Sequence, residues 1–93
     1  MGTFHDNTHE LHGITVVVDT SGAEVFIGRC DDLNEGGILI LDVDSHREGD
    51  DGLSNEDYVR RAARVGVWSK ERRRFIPGEL IRSVTRLGDF PAS

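Results

Sequence analysis

The sequence predicts a mainly β domain organised on a three-stranded antiparallel meander between Gly13 and Ser45, GITVVVDTSGAEVFIGRCDDLNEGGILILDVDS. Three observations support that class. The first apolar segment, Ile14 to Asp19, is dominated by β-branched residues, which lose χ1 freedom in a helix but pack well on a pleated surface. The second and third, Ala23 to Arg29 and Ile38 to Val43, have strand length and alternate: Ala23, Val25 and Ile27 share one face, and Ile38 and Ile40 oppose Leu39, Leu41 and Val43. Between the segments, Thr20-Ser21-Gly22 and the pair Gly36-Gly37 supply the glycines that sharp reversals need. Asp31 and Asp32 read as capping the bend before the third strand.

The 93 residues suit a single domain with a modest core, 37% of them apolar and only 6% aromatic. The division within it is N-terminal segment 1–12, meander 13–45, acidic loop and short helix 46–64, closing strands 65–88 and tail 89–93. A small core of this kind gains stability from association, so a homo-oligomer is expected. Net charge is −6, which argues against an indiscriminate polyanion binder, yet the charge is divided. Residues 1–57 carry fourteen acids and two bases, net −12, whereas 58–93 carry nine bases and three acids, net +6. Such a chain can fold its halves together or set the basic side of one subunit on the acidic side of the next; in the second case, salt should weaken assembly. Cys30 is alone, and neither a leader-like segment nor a long apolar run is present, so a cytoplasmic protein without a membrane partner is expected.

Outside the meander, His5, His9 and His12 are spaced four and three apart. On a short N-terminal helix they would share a face and form a weak candidate for a transition metal, the simpler reading being solvated histidines. Phe4 and Leu11 could lay that helix on the sheet. Asp42, Asp44, Glu48 and Asp50 superficially suggest a calcium loop, but Arg47 stands where the turn glycine belongs and Leu53 where the bidentate Glu belongs. His46 reads as a loop residue. Ser54 with Asp57 predicts a helix start, the pairs Tyr58/Ala62 and Val59/Ala63 give it an apolar side, and Gly66 ends it. Val65 to Ser69 and Arg73 to Ile76 have strand composition with Lys70 and Glu71 at the turn between them, as a second hairpin or one long bent strand. A competing reading carries that strand back to Arg61 in place of the helix. From Leu80 to Leu87 both a helical stripe and a final strand after Pro77-Gly78 fit the pattern.

The order of elements resembles the Sm-like family of small SH3-type barrels. The likeness is carried by Val16, Val18 and Gly22 in the first hairpin, Gly28 at a bend of the second strand, Ile38 to Leu41 in the third, and FIPGELIRSV from Phe75 to Val84. It implies a five-stranded barrel with a short N-terminal helix and a variable loop after strand 3, where the residues place the short inserted helix, and it tips Leu80 to Leu87 towards strand. It also implies subunits joined through their last two strands and a binding site for uridine- or adenosine-rich RNA. Asp31, Asp32 and Asn34 would lie in one loop of that site, and Pro77 and Gly78 in the other. The sequence departs there: the Asp-to-Asn spacing is compressed, and Glu79 follows Gly78 where a base would serve RNA.

No nucleophile elbow, phosphate-cradling glycine loop or cofactor motif is present, so no catalysis and no cofactor are expected. The leading expectation is a non-catalytic assembly or scaffold module, with single-stranded nucleic-acid binding as the alternative. Arg60, Arg61, Arg64, Lys70, Arg72, Arg73 and Arg74 would then meet phosphates, and Trp68 or Phe75 would stack on bases. A third reading is a protein-interaction adaptor anchored on Trp68.

Overall fold

A computed structural model describes residues 11–90. Five strands, β1 (Thr15–Thr20), β2 (Glu24–Asn34), β3 (Gly37–Arg47), β4 (Glu71–Pro77) and β5 (Ile81–Arg86), and one helix, α1 (Asn55–Val65), account for its regular structure apart from short 3₁₀ turns. The strands form one antiparallel sheet in the order β4-β3-β2-β1-β5. The sheet is open rather than closed into the expected barrel, because β4 and β5 form no ladder with each other and stand at its two edges. The expected N-terminal helix lies outside the described residues, save for its last two positions. Leu11, one of these, is buried in the core.

Both faces of the meander are covered, which is why its segments read as nearly continuous apolar runs rather than strict alternation. On one face Val16, Val18, Phe26, Cys30, Leu33, Ile38, Ile40, Val43 and Ile76 form a cluster with Leu11. On the other, Val17, Val25 and Ile27 meet Tyr58, Val59 and Ala62 of α1. Ile27, Ile38 and Ile40 are fully buried, and each such aliphatic side chain contributes about 1.5–3 kcal/mol. Register shifts in the β2–β3 ladder between Ile27 and Arg29, and between Cys30 and Asp32, bend the two longest strands. Gly28 permits that bend, since a Cβ there would stand 2.9 Å from the Leu41 carbonyl oxygen.

Helix α1 begins where Ser54 predicts, its hydroxyl accepting from the Asp57 N–H at 3.0 Å, with Glu56 and Asp57 in the first turn. It ends at Gly66, whose φ of 101° is the left-handed region that favours glycine. Several boundaries differ from expectation. The strand expected at Val65 to Ser69 is absent: Val65 closes α1, residues 66–70 are irregular, and β4 starts at Glu71 instead of a turn. Asp31, Asp32 and Asn34 belong to β2, and Asp42, Asp44 and His46 to β3, so the acidic loop starts only beyond Arg47. Long β2–β3 pairing, reaching Glu24 opposite Arg47 and Asn34 opposite Gly37, overrides the loop-like composition. Leu80 to Leu87 holds the strand that the family resemblance implied, at Ile81–Arg86, rather than the helical stripe that its periodicity allowed, because β1 offers it a free edge: Val84 pairs Val18 and Thr85 pairs Val17.

Candidate functional site

The turn between β2 and β3 is held from within. The Asn34 Nδ2–H donates to Asp32 Oδ2 at 2.9 Å, and the Gly36 N–H donates to Asn34 Oδ1 at 2.7 Å. The turn between β4 and β5 lies against it, the Gly78 N–H donating to the Gly36 carbonyl at 3.0 Å. Gly37 makes that contact possible: its φ is 145°, and a Cβ would run into the Ile76 carbonyl oxygen. The structure thus gathers Asp32 and Asn34 with Pro77 and Gly78 at one end of the sheet. Asp31 is half-buried nearby, with His12 Nε2 3.8 Å from its carboxylate. Beneath lies Cys30, 1% exposed, its thiol pushed up first by burial and then by Asp32 and Asp31. His5 and His9 lie outside the described residues, and among those described no three His, Cys, Asp or Glu side chains gather as a metal site.

The basic residues do not form one patch. Arg60 pairs with Glu56 one turn earlier on α1 at 2.6 Å, and Arg64 stands exposed in the last turn. The Lys70 ammonium lies 3.2 Å from Asp44 and donates to the Ser45 carbonyl at 3.3 Å. On the β4 edge, Arg72 and Arg73 are exposed, whereas Arg74 grips both Glu71 oxygens at 3.1 and 3.2 Å and covers the Phe26 ring at 5.0 Å. Phe75, opposite Leu39 on β3, is 53% exposed.

Arg61 and Trp68 are brought together. They line a groove of about 380 Å³ between the C-terminal half of α1 and the irregular segment that follows, with Tyr58, Ala62 and Val65, and with Asp44 among its walls. Trp68 is 80% exposed and Val65 63%.

The polar network that positions this groove was not legible as such in the sequence. The Tyr58 hydroxyl donates to Asp44, whose other oxygen accepts from the Ser45 N–H at 2.9 Å and faces Lys70. Burial, then the hydrogen bond and charge of Asp44, raise the Tyr58 hydroxyl above the ordinary tyrosine range, with Arg61 acting weakly the other way. His46, buried in β3 rather than in a loop, stacks on Tyr58 with ring centroids 4.5 Å apart. Its ring nitrogens contact Asn55 Oδ1 at 2.7 Å and the Asp50 carbonyl at 3.0 Å. These contacts pin the start of α1 to the sheet. The only available signals were Tyr58 on the apolar side of a predicted helix and His46 in an acidic run.

No family model matches the sequence, and no curated protein matches it. Solved structures do match in fold. An Sm protein of Pyrococcus abyssii, solved in complex with a uridine heptamer, superposes with a TM-score of 0.58 at 14% identity, over 88% of this chain and 94% of that one. A novel Sm-like archaeal protein from Pyrobaculum aerophilum gives 0.55 at 18% identity, over 84% of this chain and 46% of that one. A chain of the NatC complex bound to CoA gives 0.54 at 11% identity, over 83% and 79%. This chain therefore has the Sm-like fold, here five antiparallel strands in one open sheet with helix α1. No helix among the described residues is long and apolar enough to cross a membrane.

Proposed function

We propose that this chain is a non-catalytic assembly module that forms a homo-oligomer by adding β4 of one copy to β5 of the next. The observation that carries the reading is the sheet order, which leaves two strands of seven and six residues unpaired on their outer sides at opposite ends of one sheet. Unpaired edges present rows of N–H and C=O groups that template further pairing. Exposed Phe75 on β4 and Leu80 just before β5 add apolar area beside those rows. Repeated head to tail, such a joint closes a ring or runs on as a filament.

The test is the assembly mass by light scattering at micromolar concentration, for the unaltered chain and for the pairs Arg73→Pro with Arg74→Pro and Ser83→Pro with Val84→Pro. Successive strand residues direct their N–H groups to opposite sides, so one proline of each pair removes an inward ladder bond and the other only an outward donor. The outward variants should keep the far-UV spectrum and fall to the mass of one chain. An unaltered chain that is already monomeric, or outward variants that keep the assembly mass, would refute the joint.

RNA binding at the gathered turns is the second reading. It is supported by the Pyrococcus abyssii Sm protein being solved with a uridine heptamer, and by Asp32, Asn34, Pro77 and Gly78 sharing one end of the sheet. The Asn34 amide is held by one hydrogen bond on its nitrogen and one on its oxygen, which leaves an N–H and a lone pair for a base while the turn stays closed. Titration of labelled heptauridylate at low salt decides it, because phosphate contacts are strongest there. Affinity should fall in Asn34→Ala; no binding at low salt eliminates this reading.

A further inference from the structure

We infer that the groove beside Trp68 is a docking site for an acidic peptide segment that carries an apolar anchor. The groove combines two features that ordinary surface lacks. Trp68 and Val65, two exposed apolar side chains, flank one concavity rather than lying scattered, and exposed aromatic side chains at a concavity are the usual centres of protein recognition. Trp68 packs in none of the described apolar clusters, so its exposure serves no purpose in the core.

Charge names the kind of partner. The groove's lining holds one base, Arg61, and one acid, Asp44, so its net sign depends on which of the two is already engaged. Among the described residues, Arg61 has no carboxylate partner, and it stands in the groove wall. Asp44, the groove's acidic residue, is 6% exposed and already engaged by Lys70, the Tyr58 hydroxyl and the Ser45 N–H, so it presents little charge to an incoming segment. An acid on the partner would meet Arg61, and an aliphatic or aromatic anchor would lie between Val65 and the indole. Nucleic acid fits less well. A strand needs a track of cations for its phosphates, and here one guanidinium lines an otherwise apolar groove with a carboxylate in its wall. The inference does not depend on edge pairing, since Trp68 and Arg61 lie outside β4 and β5.

Trp68 is the sole tryptophan, so its emission reports the groove directly. The experiment selects a displayed library of twelve-residue peptides, randomised over Asp, Glu, Ser, Leu and Phe, against the full chain. Synthetic copies of the selected peptides and heptauridylate are then titrated against Trp68 emission. Selected peptides should combine acids with at least one Leu or Phe and shift the emission saturably. Arg61→Glu should weaken them more than about tenfold, and Trp68→Ala, measured by calorimetry, roughly 30-fold or more. Trp68→Ala should not move the melting midpoint of the chain alone, because the indole is 80% exposed, and Arg61→Gln, which adds no negative charge beside Asp44, should weaken the peptides without moving it either. Any of four outcomes overturns the inference: no enrichment, peptides without an apolar residue that bind equally well, binding indifferent to substitution at both residues, or emission that responds to heptauridylate and not to peptide.

Discussion

Replacing Tyr58 by Phe isolates one atom of the network that seats α1. The hydroxyl donates to an Asp44 side chain that is 7% exposed, while the ring packs among Val17, Val25 and Ile27 and stacks on His46. Phe preserves the ring, so only the hydrogen bond is lost, and a hydrogen bond to a charged buried group is worth about 1.5–3 kcal/mol. Asp44 keeps the Ser45 N–H and Lys70, which places the cost near 2 kcal/mol, or a melting midpoint lower by roughly 8–16 °C in a domain of this size. Urea titration at pH 8 measures it, and the slope should not change. A second signature separates the bond from generic packing. Tyr58 ionises in the folded state only above its ordinary range, whereas in the unfolded chain it does so near pH 10. Below about pH 10 its full contribution is present. Above that the unfolded chain sheds a proton that the folded chain retains, and stability falls by up to about 1.4 kcal/mol per pH unit. Tyr58→Phe lacks this titration. The stability gap should therefore shrink between pH 9 and pH 11. A gap under about 0.5 kcal/mol at pH 8, or one that stays constant through pH 11, would show that the hydroxyl does not hold the helix.

Two further predictions probe the gathered turns. Gly37→Ala should destabilise by roughly 2–4 kcal/mol in the same titration, because its φ of 145° is strained for alanine and the new methyl collides with the Ile76 carbonyl. Gly49→Ala, at φ 92° but with open space around it, should cost only about 1–2 kcal/mol, and equal costs would contradict the packing described. Cys30, 1% exposed with its thiol raised by burial and by Asp32 and Asp31, should react with iodoacetamide at pH 8 at least about 100-fold more slowly in the native chain than in urea. Similar rates would mean that the end of β2 opens readily.

The elements that could be read from residues alone were those whose signals are local. Ser54, Gly66 and the Tyr58/Ala62 pair state where α1 starts, stops and faces. The β-branched run at Thr15 to Thr20 could hardly be anything but strand. Elements that depend on a distant partner were not legible. Asp31 and Asp32 look like bend residues and do sit at a bend, but one inside β2: the ladder pairs Cys30 with Ile40 and Asp32 with Leu39 and skips Asp31, which only the distant partner strand could reveal. Ile81 to Arg86 has helical periodicity, and only the free edge of β1 makes it strand. The Trp68 groove was half legible: the indole and the arginines stand out in sequence, but nothing there says that Arg61 shares a concavity with Trp68 while Arg74 turns away to cover Phe26.

The division of charge takes on a different meaning once the strands are placed. Some of the basic half neutralises the acidic half within one chain, Lys70 against Asp44 and, more loosely, Arg82 against Asp19 at 4.0 Å. The bases are also arranged by strand order: β4 carries Arg72, Arg73 and Arg74, the last bound to Glu71, and β5 carries Arg82 and Arg86, so both edges of the sheet are rich in arginine. Charged residues on an open edge oppose indiscriminate pairing. A joint between β4 and β5 would bring like charges together, so its attraction must come from backbone hydrogen bonds and from Phe75 and Leu80. The dependence on salt expected from the charge division is therefore reversed for this joint. Screening acts over about 10 Å at 0.1 M salt, and should strengthen a β4–β5 assembly by relieving the arginines. Assembly mass that rises from low salt to about 0.5 M would fit edge pairing, whereas mass that falls would point to a different joint, acidic face on basic face, with the edges left unpaired.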